Sequence, residues 1–454
     1  CIRTYSIENG LDQIPAIAQR HGLKVLLGLW LSSKPEKNRH QVETAIRLAK
    51  TFPATIRAVI VGNEVLLRGE LSVADLTAFI REVKSKVSMP VTYADVWEYW
   101  LRYPDLQSAV DFVTIHILPY WEDFPLPAPA AAAHVEAIRK KVAAAIPNKE
   151  VFIGEIGWPS AGRMREGALP SLSNQARVVS ETLALAQREN FRVNVIEAFN
   201  QPWKRWLEGA TGGYWGIFDR ATGKPKFSFS GSVSNHPHWR GQALAGILLA
   251  GVIFGSAFAT NLSKLAGSLL WPRIALFSSL PAVLFGWTLE RIPIDSFSAG
   301  TWLRALAFAA VAAFAPIVCA VAYAAGRRQP TFAAILSHED AAGDPIAFAL
   351  GACLIALTLL SIETALGLVF DPRYRDLPFA PQSGAVFGFL LLSLLSPRPA
   401  GARAAAERLA AAVLAASAVY IALDETFANW QAVWLCAGLI GLAVILARAR
   451  DVQD

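Results

Sequence analysis

Long apolar stretches dominate the sequence after Gly241, and they constrain the fold more than any other feature. Seven such stretches are separated by short polar loops: 241–260, 268–289, 302–325, 345–370, 383–396, 409–423 and 430–447. Most reach the ~20 residues that an α-helix needs to cross the hydrocarbon core of a bilayer. The fifth and sixth stretches are shorter, so seven spans is the preferred count and six or eight are the alternatives. The sequence predicts an all-α polytopic transmembrane domain over residues 236–454.

Basic residues in the loops predict the orientation of these helices. One alternate set of loops carries nine basic residues, Lys264, Arg273, Arg327, Arg328, Arg398, Arg403, Arg408, Arg448 and Arg450. The other set carries four, Arg291, Arg304, Arg373 and Arg375. Because cytoplasmic loops are enriched in lysine and arginine, we expect a cytoplasmic C-terminus and an N-terminal half outside the cytoplasm.

The residues up to Gly241 have the composition of a water-soluble domain. They hold 52 of the 78 charged side chains, with 29 basic against 23 acidic groups. Nucleic-acid binding typically requires clustered lysine and arginine, and no such stripe occurs, so no nucleic-acid partner is expected. Only one of the four cysteines, Cys1, lies outside the apolar stretches. Cysteine usage therefore predicts no disulfide within this half.

Apolar strands alternate with amphipathic helices throughout this half. The strand candidates are Ile2–Ser6, Lys24–Leu31, Ile56–Glu64, Val91–Trp97, Phe112–Trp121, Glu150–Pro159 and Val193–Asn200. The helix candidates are His40–Thr51, Ser72–Val87, Ala130–Ala145 and Ser173–Glu189. Continuously apolar strands that alternate with helices indicate a parallel sheet covered on both faces. The predicted fold is an α/β (β/α)₈ TIM barrel over residues 1–235, with its first βα unit missing.

Two glutamates and many aromatic residues fall at the predicted strand ends. In such barrels the catalytic groups lie at the C-terminal ends of the strands, where Glu64 and Glu155 are found. The neighbouring strand-end residues are Tyr5, Trp30, Trp97, His116, Tyr120, Trp121, Trp158 and Trp203. Glycoside hydrolysis uses one carboxyl group as acid and another as nucleophile or base, and aromatic faces bind sugar rings. Packing in the core is the alternative role for any single tryptophan.

Five motifs follow one another along this half of the chain: Ile-Arg-Thr-Tyr-Ser (2–6), Val-Gly-Asn-Glu (61–64), Gly-Glu-Ile-Gly-Trp-Pro-Ser (154–160), Glu-Ala-Phe-Asn-Gln-Pro-Trp-Lys (197–204) and Gly-Tyr-Trp-Gly-Ile-Phe (213–218). They resemble the motifs of glycoside hydrolase family 17, the β-1,3-glucanases and glucanosyltransferases. The resemblance covers residues 1 to about 230 and follows the order of the family's motifs. The membrane extension resembles a bacterial branch associated with periplasmic β-glucan synthesis and remodelling, through its architecture alone.

The resemblance implies catalytic and substrate-binding roles. Glu64 would be the general acid/base and Glu155 the nucleophile of a retaining mechanism. Asn63 would hydrogen-bond the 2-hydroxyl of the sugar at the cleaved bond, and Tyr5 and Tyr120 would orient Glu155 and the same sugar. The remaining candidates are three sugar platforms and one basic residue near the acid: Trp121, Trp158, Trp203 and Lys204.

The sequence departs from the family pattern in two places. Many members have a glutamate where this chain has Gln201, which changes the charge near one subsite. Members also begin with a strand and helix before the motif that starts here at Ile2. An upstream segment with an export signal and the first βα unit would account for the missing strand, and this is the preferred hypothesis. A lipoprotein acylated at Cys1 is the alternative.

The predicted function is glycosidase activity on β-1,3-glucans at the outer face of a bacterial cytoplasmic membrane. Hydrolysis and transglycosylation both stay open, as does the linkage that a transfer would form. The expected partners are a β-glucan, membrane lipid and a glucan synthase, and neither a cofactor nor a metal ion is expected. The alternative is a non-catalytic glucan-binding module on a membrane scaffold or transporter.

Overall fold

The chain forms two compact units, which are described separately. The computed structural model describes residues 1–229, 231–260, 269–336, 344–396 and 403–448. One unit comprises Cys1–Trp158, Ser173–Asn200 and Trp215–Val233; the other comprises Pro159–Leu172, Gln201–Tyr214 and Ser234–Asp454. Lys264, Arg398 and Arg450, which contribute to the predicted orientation, lie outside the described residues.

The first unit contains a seven-stranded parallel sheet in sequential order, which confirms the predicted TIM-like barrel. The strands are β1 Ile2–Arg3, β2 Val25–Leu29, β3 Ile56–Asn63, β4 Val91–Val96, β5 Val113–His116, β6 Val151–Ile156 and β7 Val193–Val195. The α-helices between them are α1 Ile14–Arg20, α2 Pro35–Thr51, α3 Val73–Lys86, α4 Trp97–Arg102, α5 Ala128–Ala145 and α6 Leu172–Arg188. Among the described residues, β1 and β7 are the two edges of this near-closed sheet.

Local sequence explains why these elements form. The β3 segment is nearly continuously apolar and buried, as expected for a strand that is covered on both faces. The side chain of Ser72 accepts a hydrogen bond from the backbone N–H of Asp75 and thereby caps α3. Since Pro35 supplies no N–H, it fits the first turn of α2, where an intrahelical acceptor would be lacking.

The segment after β7 forms backbone hydrogen bonds with residues 215–218. Glu197 donates its backbone N–H to the carbonyl of Trp215 at 3.1 Å, and Ile217 donates to the carbonyl of Glu197 at 2.9 Å. A parallel bridge joins Phe199 and Phe218. The last motif, 213–218, therefore lies next to the end of the seventh strand candidate.

The second unit is helical and contains the apolar stretches. Its helices are α7 Arg205–Gly212, α8 Trp239–Thr260, α9 Leu270–Asp295, α10 Ala299–Ala324, α11 Phe332–Leu336, α12 Pro345–Phe370, α13 Phe379–Leu395, α14 Ala405–Asp424 and α15 Trp430–Ala447. In the described part of the chain, six of them are long and apolar enough to cross a membrane: α8, α9, α10, α12, α14 and α15. The predicted fifth span corresponds to α13, which has 17 residues and is mostly buried.

Candidate active site

Glu64 is presented by a tight turn at the end of β3. Gly62 and Glu64 both have positive φ angles, 95° and 51°. At Gly62 a Cβ would lie 2.8 Å from Cγ2 of Val65, so glycine fits both the angle and the space. The backbone N–H of Glu64 donates to the carbonyl of Ala94 at 2.8 Å, which fixes the turn to the end of β4.

A buried tyrosine and aspartate support the same turn. The hydroxyl of Tyr93 accepts a hydrogen bond from the backbone N–H of Leu66 at 3.0 Å and donates to the carboxylate of Asp95. Asp95 is fully buried. Burial raises its pKa to about 6, despite the opposing hydrogen bonds from Tyr93 and the Val96 N–H. Sequence reasoning missed both side chains, because a polar residue inside an apolar strand does not reveal its partner.

Glu155 lies in β6 and is almost fully buried. Its Oε1 lies 3.4 Å from Nη1 of Arg3, and the hydroxyl of Tyr5 donates a hydrogen bond to the carboxylate. Burial and the negative charge of Glu155 raise the pKa of Tyr5, so its phenol keeps its proton. Tyr5 thus contacts Glu155 as predicted from the sequence.

Arg3, in β1, connects Glu155 to the ends of two other strands, β3 and β5. Its Nη1 donates to the carbonyl of Gly154 at 2.7 Å, and its Nη2 donates to Oδ1 of Asn63 at 2.5 Å. A Cβ at Gly154 would lie 3.1 Å from Nη1 and 2.4 Å from a methyl of Thr114, so the small residue leaves room for the guanidinium. Because Oδ1 of Asn63 is engaged by a donor, its amide nitrogen is the atom that can donate to a ligand.

His116, at the end of β5, connects the two glutamates. Its Nδ1 lies 2.7 Å from Oε1 of Glu64, and its Nε2 lies 3.2 Å from Nη1 of Arg3 and 3.5 Å from Oε1 of Glu155. A guanidinium only donates hydrogen bonds, so Nε2 accepts from Arg3 and the ring proton lies on Nδ1. His116 therefore donates to Glu64. The predicted site omitted Arg3 and His116, although one lies in the first motif and the other at a strand end.

The electrostatic environment of Glu64 favours its charged form. Burial alone would raise the pKa of Glu64, but the hydrogen bond from His116 and the positive charges of Arg3 and Arg68 lower it overall. The carboxylate is thus stabilised by one group from β1, one from β5 and one from its own loop after β3.

The two carboxyl groups lie close together. One ligand atom each from Glu64, His116 and Glu155 lie within 4.8 Å of one another. This donor set does not suit a metal ion, because Arg3 approaches both His116 and Glu155 and the Nδ1 of His116 carries a proton. The arrangement suits acid–base and nucleophilic chemistry by a carboxyl pair.

The predicted aromatic residues differ in their exposure. Tyr120 and Trp158 are fully buried and Trp215 is 2% exposed, while Trp121 is half-buried. The ring of Tyr120 packs edge-on against Trp121, Trp158 and Trp215, with centroids 4.9, 6.0 and 6.1 Å apart. Trp121 and Trp215 are nearly parallel, with an interplanar angle of 14°. Of these four rings, Trp121 offers the most surface to a ligand.

Trp203 and Lys204 lie in a segment that belongs to the helical unit. The indole of Trp203 is 58% exposed and donates to Oε1 of Gln201 at 3.1 Å. Nζ of Lys204 lies 6.0 Å from the centroid of the Trp203 ring. Their predicted contact with substrate stays a prediction.

Comparisons with known proteins show which proteins this chain is similar to. Residues 1–216 match the BtgE/BtgC glycoside hydrolase domain. We therefore call residues 1–216 the glycoside hydrolase domain, which is similar to family 17; the predicted bacterial branch stays a prediction. A probable beta-glucosidase btgE from Aspergillus flavus is 30% identical over 226 residues, covering 48% of this chain. This chain spans only 36% of the length of that relative.

Two other similar proteins carry β-1,3-glucan in their names. The glucan 1,3-beta-glucosidase BGL2 of Candida albicans is 25% identical over 243 residues, which cover 48% of this chain and 78% of that protein. The family 17 β-1,3-glucanosyltransferase of Rhizomucor miehei is 25% identical, covers 51% of this chain and 86% of its own, and gives a TM-score of 0.46.

Proposed function

We propose that the glycoside hydrolase domain cleaves β-1,3-glucans by a retaining mechanism. The observation that carries the proposal is the separation of the two carboxyl groups, whose oxygens approach within 4.8 Å. Retaining enzymes place these groups about 5–5.5 Å apart, whereas inverting enzymes leave about 6.5–9.5 Å for a water molecule. The separation supports direct attack by a carboxylate. The names of the similar proteins support β-1,3-glucan as the substrate class.

In this proposal Glu155 is the nucleophile and Glu64 the acid/base. An oxygen of Glu155 bonds to the anomeric carbon while the bond to the leaving glucan breaks, and Glu64 donates its proton to the leaving oxygen. Glu64 then accepts a proton from an acceptor hydroxyl or water, which attacks the same carbon and releases Glu155. Tyr5 and Arg3 contact the carboxylate of Glu155 and orient it, and Asn63 donates its amide N–H to the 2-hydroxyl.

The aromatic residues differ in their proposed roles. Trp121 is the sugar platform, because part of its ring is accessible. Tyr120 packs against that platform and Trp158 packs against Tyr120, and both rings are fully buried, so they position Trp121. Trp203 as a further sugar platform and Lys204 as a basic residue near the acid also belong to the proposal.

Transfer between glucan chains is the proposed reaction in the cell. The domain is continuous in sequence with six long apolar helices, so an attached enzyme would meet glucan as it emerges at the membrane. We propose that the domain lies at the outer face of a bacterial cytoplasmic membrane, beside a glucan synthase. If α13 is a seventh span, the loop charges support this side.

Azide rescue of the full-length protein in detergent tests the two roles. With an activated aryl β-laminaribioside, Glu155→Ala and Glu64→Ala are both expected to lose most turnover. In Glu155→Ala, azide takes the place of the nucleophile and should give an α-glycosyl azide. In Glu64→Ala, azide attacks the glycosyl-enzyme and should give the β product. The exchanged outcome would contradict the assignment.

Analysis of the products distinguishes transfer from hydrolysis and from binding without turnover. Products longer than the laminari-oligosaccharide supplied require transfer, whereas shorter products alone indicate hydrolysis. A wild-type protein that binds laminari-oligosaccharides without any turnover would refute the proposed activity and favour a glucan-binding scaffold.

A further inference from the structure

The end of β2 presents a second exposed aromatic ring near the site. Trp30 directly follows β2 and is 39% exposed. Its backbone N–H donates to Oε1 of Gln41 at 3.1 Å, so the residue is attached to α2. In such barrels the catalytic groups lie at the C-terminal ends of the strands. A large apolar ring that is partly exposed at that end is therefore a candidate for contact with substrate.

One face of this ring is covered by a guanidinium. Cζ of Arg68 lies 4.3 Å from the centroid of the Trp30 ring, within the range of a cation–π contact. Arg68 is itself fixed by several partners: it donates to the carbonyls of Asn63 and Leu31 and forms two hydrogen bonds with Oε2 of Glu70 at 2.8 and 2.6 Å. One face of the indole ring therefore lies against a planar guanidinium that is held in place by its hydrogen bonds.

The same arginine connects the ring to the proposed acid/base. The carbonyl that it binds belongs to Asn63, the residue before Glu64, and its charge helps to lower the pKa of Glu64. A ring that is fixed in this way loses little side-chain entropy when a ligand stacks on it. Its chemistry suits the apolar C–H face of a pyranose.

We propose that Trp30, backed by Arg68, is a stacking platform for one glucosyl ring of the bound β-glucan. This inference rests on the proposed function and adds to it a subsite at the β2–β3 side of the domain. Trp30 binds the sugar directly, whereas Arg68 acts as a positioning residue for the indole.

The test measures binding in the full-length Glu155→Gln protein, purified in detergent, by calorimetric titration with laminari-oligosaccharides of increasing length. Replacing a buried aromatic contact typically reduces affinity by about tenfold, and Trp30→Ala is expected to do so. Trp30→Phe keeps a smaller ring and should retain most of the affinity. Leu23→Ala is the matched control, because Leu23 is 42% exposed and lies before β2, at the opposite end of the strand.

A double-mutant cycle tests the role of the arginine. Arg68→Lys keeps the charge but loses the planar guanidinium, so it should weaken binding when Trp30 is present and have little effect in a Trp30→Ala background. Additive effects would overturn the positioning role.

The outcomes separate the two proposals. If Glu155→Gln binds laminari-oligosaccharides and Trp30→Ala binds them equally well, the platform is refuted and the proposed function stands. If the parent protein binds no β-glucan and the wild type turns none over, the proposed function fails together with the platform.

Discussion

Arg3 organises the candidate site through a single side chain. Its guanidinium contacts Asn63, His116, Gly154 and Glu155, which lie on three different strands. The same guanidinium also lies over the ring of Tyr5, with Cζ 4.4 Å from the centroid. Because Arg3 can only donate, it dictates which atoms of its neighbours accept, and through His116 it determines the proton position next to Glu64.

Replacing His116 should shift the dependence of kcat/KM on pH toward higher pH. The hydrogen bond from His116 lowers the pKa of Glu64, so His116→Phe should raise that pKa. A general acid works only while protonated, so the alkaline limb of the kcat/KM profile is expected to shift to higher pH. Overall activity should fall, because Arg3 loses an acceptor.

The matched control removes another histidine–glutamate contact of the same domain. Nε2 of His134 lies 3.0 Å from Oε1 of Glu122, away from the two site glutamates. His134→Phe is expected to leave the profile of kcat/KM against pH in place. An unchanged alkaline limb in His116→Phe would contradict the proposed link to Glu64.

At the scale of elements, the sequence predicted the existence of the strands more accurately than the residues at which they end. The fifth strand was predicted over Phe112–Trp121 but comprises Val113–His116. The apolar run continues because Ile117 and Tyr120 are buried in the following loop, which hydropathy does not distinguish from a strand. Helix α2 was predicted to begin at His40 but begins at Pro35. The periodic pattern of apolar residues did not reveal its first turn, because that turn is polar.

The same reasoning explains what could be predicted of the site. Glu64 and Glu155 belong to recognisable motifs that follow strands, so their convergence could be inferred from barrel geometry. The roles of Arg3, His116 and Asp95 depend on distances across the barrel. Those contacts arise from tertiary packing and leave no periodic signal in the sequence.

Helix α13 determines on which side of the membrane the two ends of the chain lie. Its 17 residues span about 26 Å at 1.5 Å per residue, slightly short of the ~30 Å hydrocarbon core. A helix buried among neighbours tolerates this shortfall through tilt of the bundle and local thinning of the bilayer. If α13 crosses, there are seven spans and the two ends lie on opposite sides.

Cysteine labelling tests whether α13 crosses. Arg373 precedes α13 and Arg408 follows it, and both are exposed. In a background without the native cysteines, Arg373→Cys is expected to react with a membrane-impermeant maleimide in intact cells, and Arg408→Cys only after permeabilisation. Equal labelling of both positions in intact cells would reduce the count to six spans.

At the scale of the whole molecule, segments early in the chain belong to the helical unit. Arg163 donates to the carbonyls of Pro372 and Arg375 and forms a buried ion pair with Glu425. The backbone of Met164 is held by Asn429 and Gln431, each at 3.0 Å. The helical unit thus includes residues that directly follow β6 and Trp158 in sequence.

Removing this arginine should destabilise the helical unit. Arg163→Ala leaves the carboxylate of Glu425 buried without its partner charge, a change that typically costs about 3–5 kcal/mol. We expect a lower Tm for the detergent-purified protein. Arg177→Ala is the control, since its pair with Glu181 is solvent-exposed on both sides and such pairs contribute little. Equal Tm values for the two variants would contradict this expectation.

One guanidinium that contacts residues of three strands has a consequence for how the site responds to heat. Arg3 contacts Asn63 at the end of β3, His116 at the end of β5 and Glu155 in β6. Local openings of a domain need less free energy than its complete unfolding. An opening that withdraws Arg3 would remove one contact from each of these three strands at once. Turnover is therefore expected to fall during warming before the domain unfolds.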